Sequence, residues 1–130
     1  MLEIYLGEDV YVRRLSDSID IREYHGTSPS EYEGVNFLPN QWFRFCEDWE
    51  YIKRKMNRAK TPTCVWQYDD ITIYYWPFQK ILGFSRGGFP HSIDLNESQI
   101  EVLGQNLRGT LVDEWWSNAR FYCYNQRKLF

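Results

Sequence analysis

The sequence has few residues that bind metals or form disulfides, and they are not spaced as a site. The chain of 130 residues contains three cysteines and two histidines, and no C-x-x-C pair occurs. Cys46, Cys64 and Cys123 are odd in number and far apart. We therefore predict no zinc site and no cofactor, and the cysteine usage favours a reduced, intracellular protein.

An excess of positive charge is also missing. The 15 Lys and Arg residues are outnumbered by 18 Asp and Glu residues, which gives a net charge of −3. Because phosphate contacts need Lys and Arg, this balance argues against a strongly basic nucleic-acid binder, although a local patch can differ from the total.

Membrane and targeting signals are not recognisable. No apolar run approaches membrane-spanning length, and Glu3, Glu8 and Asp9 occupy the region where a signal peptide has basic residues. We expect no membrane partner, and a nuclear location if the source is a eukaryote or a virus that replicates in the nucleus.

Catalytic constellations are not legible either. The adjacent pairs Asp69–Asp70 and Asp113–Glu114 direct their side chains apart rather than towards one substrate. No nucleophile–base set and no metal triad stands out. The sequence therefore predicts a protein that is not an enzyme.

Aromatic residues are abundant, at 18% of the chain. Large aromatic side chains fill cores, and they also stack on bases or on partner side chains. The periodicity of the apolar residues predicts the strands and helices in which these aromatics lie. Alternating runs predict a hairpin over 2–15, a strand over 18–24 and a short strand over 34–39, with a loop over 25–33. Pro39 is expected to open an amphipathic helix that ends in the basic run 53–60.

A similar order follows in the second half of the chain. Strands are predicted over 64–68, 71–76 and 92–95. The segment 77–90 is expected as a long connection or as a flexible hairpin, and its one Arg-Gly-Gly sequence as a flexible loop. Asn96 is expected to cap a second helix, with Gln99 completing a capping box. The predicted organisation is a first repeat over 1–57, a linker over 58–63, a second repeat over 64–110 and a C-terminal extension over 111–130.

The two halves match in pattern. GVNFLPNQW (34–42) corresponds to SIDLNESQI (92–100), and IDIREY (19–24) is matched with ITIYYW (71–76). We predict an α+β fold in which two tandem units, each a curved antiparallel sheet followed by a helix, pack as an intramolecular pseudo-dimer. The aromatic extension is expected to add a helical turn over 111–119 and a strand over 120–124, and either to close the core or to dock another protein.

The first half resembles a known family. VYVRRL, SIDIREYH and GVNFLPNQW, at this spacing over about residues 2–56, resemble the transcriptional coactivator family of positive cofactor four, of the single-stranded-DNA-binding, Whirly-like superfamily. The resemblance implies a curved four-stranded sheet backed by one helix, dimerisation through the helices, and binding of single-stranded DNA across the sheets. This chain would be a divergent, tandem-repeat member, and so a monomeric pseudo-dimer or at most a weak homodimer.

The outward faces of the sheets are the predicted nucleic-acid-binding surface. Bases stack on aromatic faces, and arginine binds phosphates. The alternative is aromatic packing that only stabilises the sheet. The basic run 53–60 also has two interpretations: it contacts a nucleic-acid backbone, or it is a solvated helix end. The predicted binding residues are Tyr11, Arg13, Arg22, Tyr24, Tyr74, Trp76, Lys80 and Arg86.

Two functions remain open from the sequence. The first is single-stranded nucleic-acid binding, of DNA or RNA, in transcription or replication in the manner of a coactivator. The second is a protein-interaction adaptor, on a polymerase or another complex, that kept the fold and lost nucleic-acid binding. The second is motivated by the net charge of −3 and by Leu15, Ser16 and His25, which stand where the family has basic or aromatic residues.

Overall fold

A computed structural model describes residues 3–87 and 91–107 of the chain. Within these ranges the chain forms eight strands and three helices. In chain order they are β1 (Glu3–Gly7), β2 (Val10–Arg14), β3 (Ile19–His25), β4 (Ser28–Phe37), α1 (Pro39–Glu47), α2 (Trp49–Arg58), β5 (Thr63–Tyr68), β6 (Ile71–Trp76), β7 (Ile81–Arg86), β8 (Ser92–Leu95) and α3 (Glu97–Gln105).

The strands form two separate antiparallel sheets, each with its strands in sequence order. The first contains β1 to β4 and leads into α1 and α2, and the second contains β5 to β8 and leads into α3. This arrangement confirms the predicted α+β class and the two sheet-plus-helix units. It follows from the short turns between neighbouring strands, which favour antiparallel pairing.

Alternation along the strands determines which side of each sheet is buried. Val12, Ile21 and Val35 lie side by side across β2, β3 and β4, and all three are buried. Ile73, Phe84 and Ile93 form the matching row in the second sheet. Because successive side chains point to opposite faces, the residues between these positions lie on the outer faces.

The predicted first helix is broken into two. Its start at Pro39 is confirmed, but α1 ends at Glu47 and α2 begins at Trp49. Asp48 at the break has a φ of −93° and a ψ of 2°, outside the helical range. Its carboxylate accepts hydrogen bonds from the Trp66 indole N–H at 2.9 Å and from Arg44 Nε at 3.0 Å. The break therefore anchors the helices to the second sheet.

Two segments expected as loops contain strands. β4 begins at Ser28, within the predicted loop 25–33, and β7 occupies 81–86 of the predicted connection 77–90. Turn-forming residues misled the prediction in both cases. β4 is an edge strand, and an edge strand tolerates Pro29 because its outer side needs no ladder hydrogen bond.

The internal match requires one correction. IDIREY forms β3, the third strand of its sheet, whereas ITIYYW forms β6, the second strand of the other. By order and register, β6 corresponds to β2, and β7 corresponds to β3. The other match agrees with the element order: both segments run from the fourth strand into a helix, and in each a glutamine, Gln41 or Gln99, accepts the backbone N–H three residues before it.

The two units share one core. α3 packs against β1, and α2 packs against β5. The rings of Phe37 and Phe84 lie 6.3 Å apart, and those of Phe45 and Trp66 lie 5.6 Å apart. The inner faces of the sheets are therefore covered within the chain, whereas the outer sheet faces lie away from this shared core.

Some predictions fall outside the described ranges. The extension 111–130, with its expected helical turn and strand, lies beyond them, and so do Cys123 and the end of the Arg-Gly-Gly sequence. The linker predicted over 58–63 overlaps the end of α2 and the start of β5. Among the described residues, no helix is both long and apolar enough to span a membrane.

Candidate nucleic-acid interface

The outer face of the first sheet carries a packed cluster of aromatic residues. The rings of Tyr5 and Tyr11 lie 4.9 Å apart, and those of Tyr11 and Tyr24 meet edge to face at 5.3 Å. The Arg13 guanidinium lies 4.1 Å from the Tyr24 ring centre, and Arg13 Nε lies 2.7 Å from a Glu3 carboxylate oxygen. Tyr24 is only 6% exposed as a result, so this predicted binding residue lies on the expected face but is covered.

Arg22 lies on the same face and is also engaged within the chain. Its guanidinium donates to both carboxylate oxygens of Asp20, at 2.9 and 3.1 Å, and to the Ser30 carbonyl at 2.8 Å. It rests on the backbone at Gly34, where a Cβ would come within 2.6 Å of its central carbon. Both predicted arginines of the first sheet therefore have carboxylate partners already.

The outer face of the second sheet is more open. Tyr74 is 43% exposed, and its ring centre lies 6.1 Å from that of the half-buried Trp76. Both residues alternate outward from β6 because Ile71 and Ile73 are directed into the core. The two predicted aromatics are thus brought together, with accessible ring surface.

A glycine makes room for this aromatic pair. Gly83 on β7 pairs with Tyr74 on one side and with Asp94 on the other. A Cβ on Gly83 would come within 2.5 Å of the Trp76 ring and 2.8 Å of an Asp94 carboxylate oxygen. Since any side chain there would displace the indole, glycine allows Trp76 to lie across the strand towards Asp94.

The remaining two predicted residues lie elsewhere. Lys80 is in the β6–β7 turn, and its ammonium group lies 3.4 Å from the Glu97 carboxylate. Arg86 is directed to the junction of the units: it donates to the Asn36 carbonyl and to Gln41 Oε1, and it lies 3.3 Å from Asp70. Arg86 follows the inward alternation of Leu82 and Phe84, so it does not share the outer face with Tyr74 and Trp76, and its part in binding stays a prediction.

Several residues of this surface were missed by the sequence analysis. Tyr5 extends the cluster on the first sheet, and Asp94 borders the aromatic pair on the second. Only Gly83 carried a usable signal, because glycine inside a strand indicates a close approach. That signal was hidden while β7 was assigned to a connection.

A separate group of ionisable residues lies on the β3–β4 hairpin. Each of Glu23, His25 and Glu33 has one oxygen or nitrogen atom that could bind a metal ion, and these three atoms lie within 4.8 Å of one another. His25 Nε2 is 3.9 Å from a Glu33 carboxylate oxygen. The pKa of Glu23 is raised, chiefly by its hydrogen bond to Glu33, then by burial and by the charge of Glu33. The hairpin thus holds two carboxylates that repel each other when both are ionised.

Comparisons with known proteins identify no relative. No family model, no curated protein and no solved structure matches the chain. The resemblance to the positive-cofactor-four family therefore rests on the sequence motifs alone.

Proposed function

We propose that the protein binds single-stranded nucleic acid through the outer face of its second sheet, acting in transcription or replication. The observation that carries the proposal is the accessible pair Tyr74 and Trp76, whose ring centres lie 6.1 Å apart on the outer face of β6. Base stacking on such residues contributes about 1–3 kcal/mol per base. The family resemblance supports the same class of ligand.

The engaged arginines determine what kind of binding to expect. Arg13, Arg22 and Arg86 each have a carboxylate within 3.3 Å. Phosphate contacts by these residues would first have to break the existing ion pairs. Binding should therefore depend mainly on stacking, and its affinity should fall less steeply with salt than that of a basic binder.

The same proposal includes a pseudo-dimer within one chain. Gln41 donates to the Asp69 carboxylate, in the β5–β6 turn, at 3.0 Å, and Gln99 donates to the Gly7 carbonyl, at the β1–β2 turn, at 2.8 Å. Each unit thus contributes a buried helix-start glutamine to the first hairpin of the other. Such reciprocal contacts are what a duplicated dimer would retain.

Titration with fluorescent single-stranded oligonucleotides tests the proposal. Trp76→Ala should weaken binding by about tenfold, within the range of one lost stack. Phe78→Ala is the matched control, since Phe78 is an aromatic residue on the adjoining turn and 85% exposed, and it should leave the affinity unchanged. Absence of binding to the wild-type chain, even at low salt, would overturn the proposal.

A protein-binding adaptor is the second candidate. It is favoured by the neutralised arginines of the first sheet, because that face offers a mixed-charge, aromatic surface of the kind found at protein interfaces. In that case Tyr5→Ala, which alters the most exposed tyrosine of the first face at 53%, would disrupt a complex with a protein and leave oligonucleotide binding intact.

A further inference from the structure

We propose that Asp94 makes the Tyr74–Trp76 surface selective for guanine, by accepting hydrogen bonds from the edge of a base that stacks there. The inference rests on the proposed nucleic-acid binding and specifies which base the site takes. It concerns the position over Gly83, where the Trp76 ring and the Asp94 carboxylate come together.

The position of Asp94 fits contact with a stacked base. In the register of the sheet, Tyr74, Gly83 and Asp94 form one row across β6, β7 and β8. Trp76 and Asp94 both approach within 3 Å of the point that a Gly83 Cβ would occupy. The carboxylate therefore lies beside the aromatic surface, where the edge of a base stacked on that surface would lie.

Asp94 differs from four aspartates that have side-chain partners within the chain. Asp20, Asp48 and Asp70 each bind an arginine, and Asp69 accepts from Gln41. Within the described ranges, no hydrogen bond or ion pair reaches the Asp94 carboxylate. Asp94 is an exposed residue, and the partial burial of its carboxylate raises its pKa. A partly desolvated carboxylate without a donor is able to accept one from a ligand.

In the first sheet, the residues that correspond to Asp94 and Tyr74 make contacts within the chain. By register, Asn36 is the counterpart of Asp94, and it donates to Ser18 Oγ at 3.1 Å and to Asp20 at 3.3 Å. Arg13 is the counterpart of Tyr74, and it covers the ring of Tyr24. The first face is therefore closed by its own side chains, whereas the second is left open.

The donor pattern of the bases selects among them. An ionised carboxylate accepts hydrogen bonds and cannot donate them. Guanine presents two adjacent donors, N1–H and the N2 amino group, on its Watson–Crick edge, which match the two carboxylate oxygens. Adenine and cytosine place an acceptor nitrogen beside their amino group, and thymine and uracil flank one N–H with carbonyl oxygens. Asp94 would therefore attract guanine and repel the acceptors of the other bases.

The test compares three thymine oligonucleotides that differ only at the central base, which is guanine, inosine or thymine. Inosine lacks the N2 amino group, so it separates a two-donor contact from stacking alone. With the wild-type chain we expect the guanine oligonucleotide to bind about fivefold more tightly than the other two. Equal affinity for all three would overturn the inference and leave the proposed function standing, whereas no binding to any of them would overturn both.

The variant Asp94→Asn adds a readout that a structural role would not produce. Removal of the negative charge should strengthen binding of the all-thymine oligonucleotide and weaken binding of the guanine one, so that the preference disappears. Asp17→Asn, in the exposed turn after β2, is the charge-matched control and should keep the preference. A retained preference for guanine in Asp94→Asn would contradict guanine readout.

Discussion

Among single residues, Glu23 shows how local charge affects stability. Its pKa is raised above the ordinary value of 4.5 by Glu33, by burial and by Asp9, while His25 acts in the opposite direction. A carboxyl whose folded-state pKa is raised binds its proton more tightly in the folded state than in the unfolded state. The free energy of unfolding must therefore decrease as the pH rises from the unfolded-state pKa through the folded-state pKa.

This leads to a prediction for the variant Glu23→Gln. The variant removes one partner of the Glu23–Glu33 pair, so its melting temperature should fall less than that of the wild-type chain between weakly acidic and neutral pH. Thermal unfolding followed by circular dichroism over that range measures the difference. Glu101→Gln, at an exposed site on α3, is the control and should follow the wild-type curve. Parallel curves for Glu23→Gln and the wild type would contradict the assigned coupling.

The alternation of single residues was predictable, but the contacts beyond it were not. The inward positions of Ile19 and Ile21 and the outward positions of Tyr74 and Trp76 follow from a period of two. The burial of Tyr24 could not be read in the same way, because it depends on Arg13 and Tyr11 from a neighbouring strand. The nearness of Asp94 to Trp76 was missed because it depends on Gly83, which pairs with Asp94 from the neighbouring strand.

At the scale of elements, the join between α1 and α2 is held by one side chain. Asp48 accepts hydrogen bonds from Trp66 on β5 and from Arg44 on α1. Trp66 is only 6% exposed, so loss of the acceptor would leave a buried indole N–H without its partner. An unsatisfied buried donor costs about 1–3 kcal/mol.

We therefore predict that Asp48→Ala lowers the free energy of unfolding by about 1–3 kcal/mol, whereas Asp48→Asn, which keeps a carbonyl acceptor, lowers it by less. Chemical denaturation measured by circular dichroism tests both variants. Glu47→Ala, at the neighbouring exposed position, is the matched control and should change stability little. An equal loss in the alanine and asparagine variants would show that the Trp66 contact does not stabilise the join.

The type and order of most helices and strands could be predicted, but the residues at which several of them begin or end could not. The first hairpin and the starts of both predicted helices are confirmed, because they depend on local signals such as Pro39 and the Asn96 cap. The break at Asp48 depends on a tryptophan 18 residues away. The true counterpart of β6 became visible only from strand order, because several short alternating runs look alike in sequence.

At the scale of the whole molecule, the contacts between the units bear on oligomeric state. α3 packs on the first sheet and α2 on the second, so each unit already covers part of the other within one chain. Trp42 adds to this by donating its indole N–H to the Leu107 carbonyl at 3.3 Å, which joins α1 to the end of the second unit. A second copy would have to displace these contacts before it could bind through the same faces.

We therefore expect light scattering to give a molar mass near the 15.8 kDa of a single chain, unchanged over a dilution series. Because the units share Phe37, Phe45 and Phe84 in one aromatic cluster, unfolding should also be a single transition with the same midpoint by fluorescence and by circular dichroism. A stable mass of twice the single-chain value would contradict the pairing within one chain. Two separate unfolding transitions in a monomer would instead show that the units are stable independently, and the reciprocal Gln41 and Gln99 contacts could then not be what holds them together.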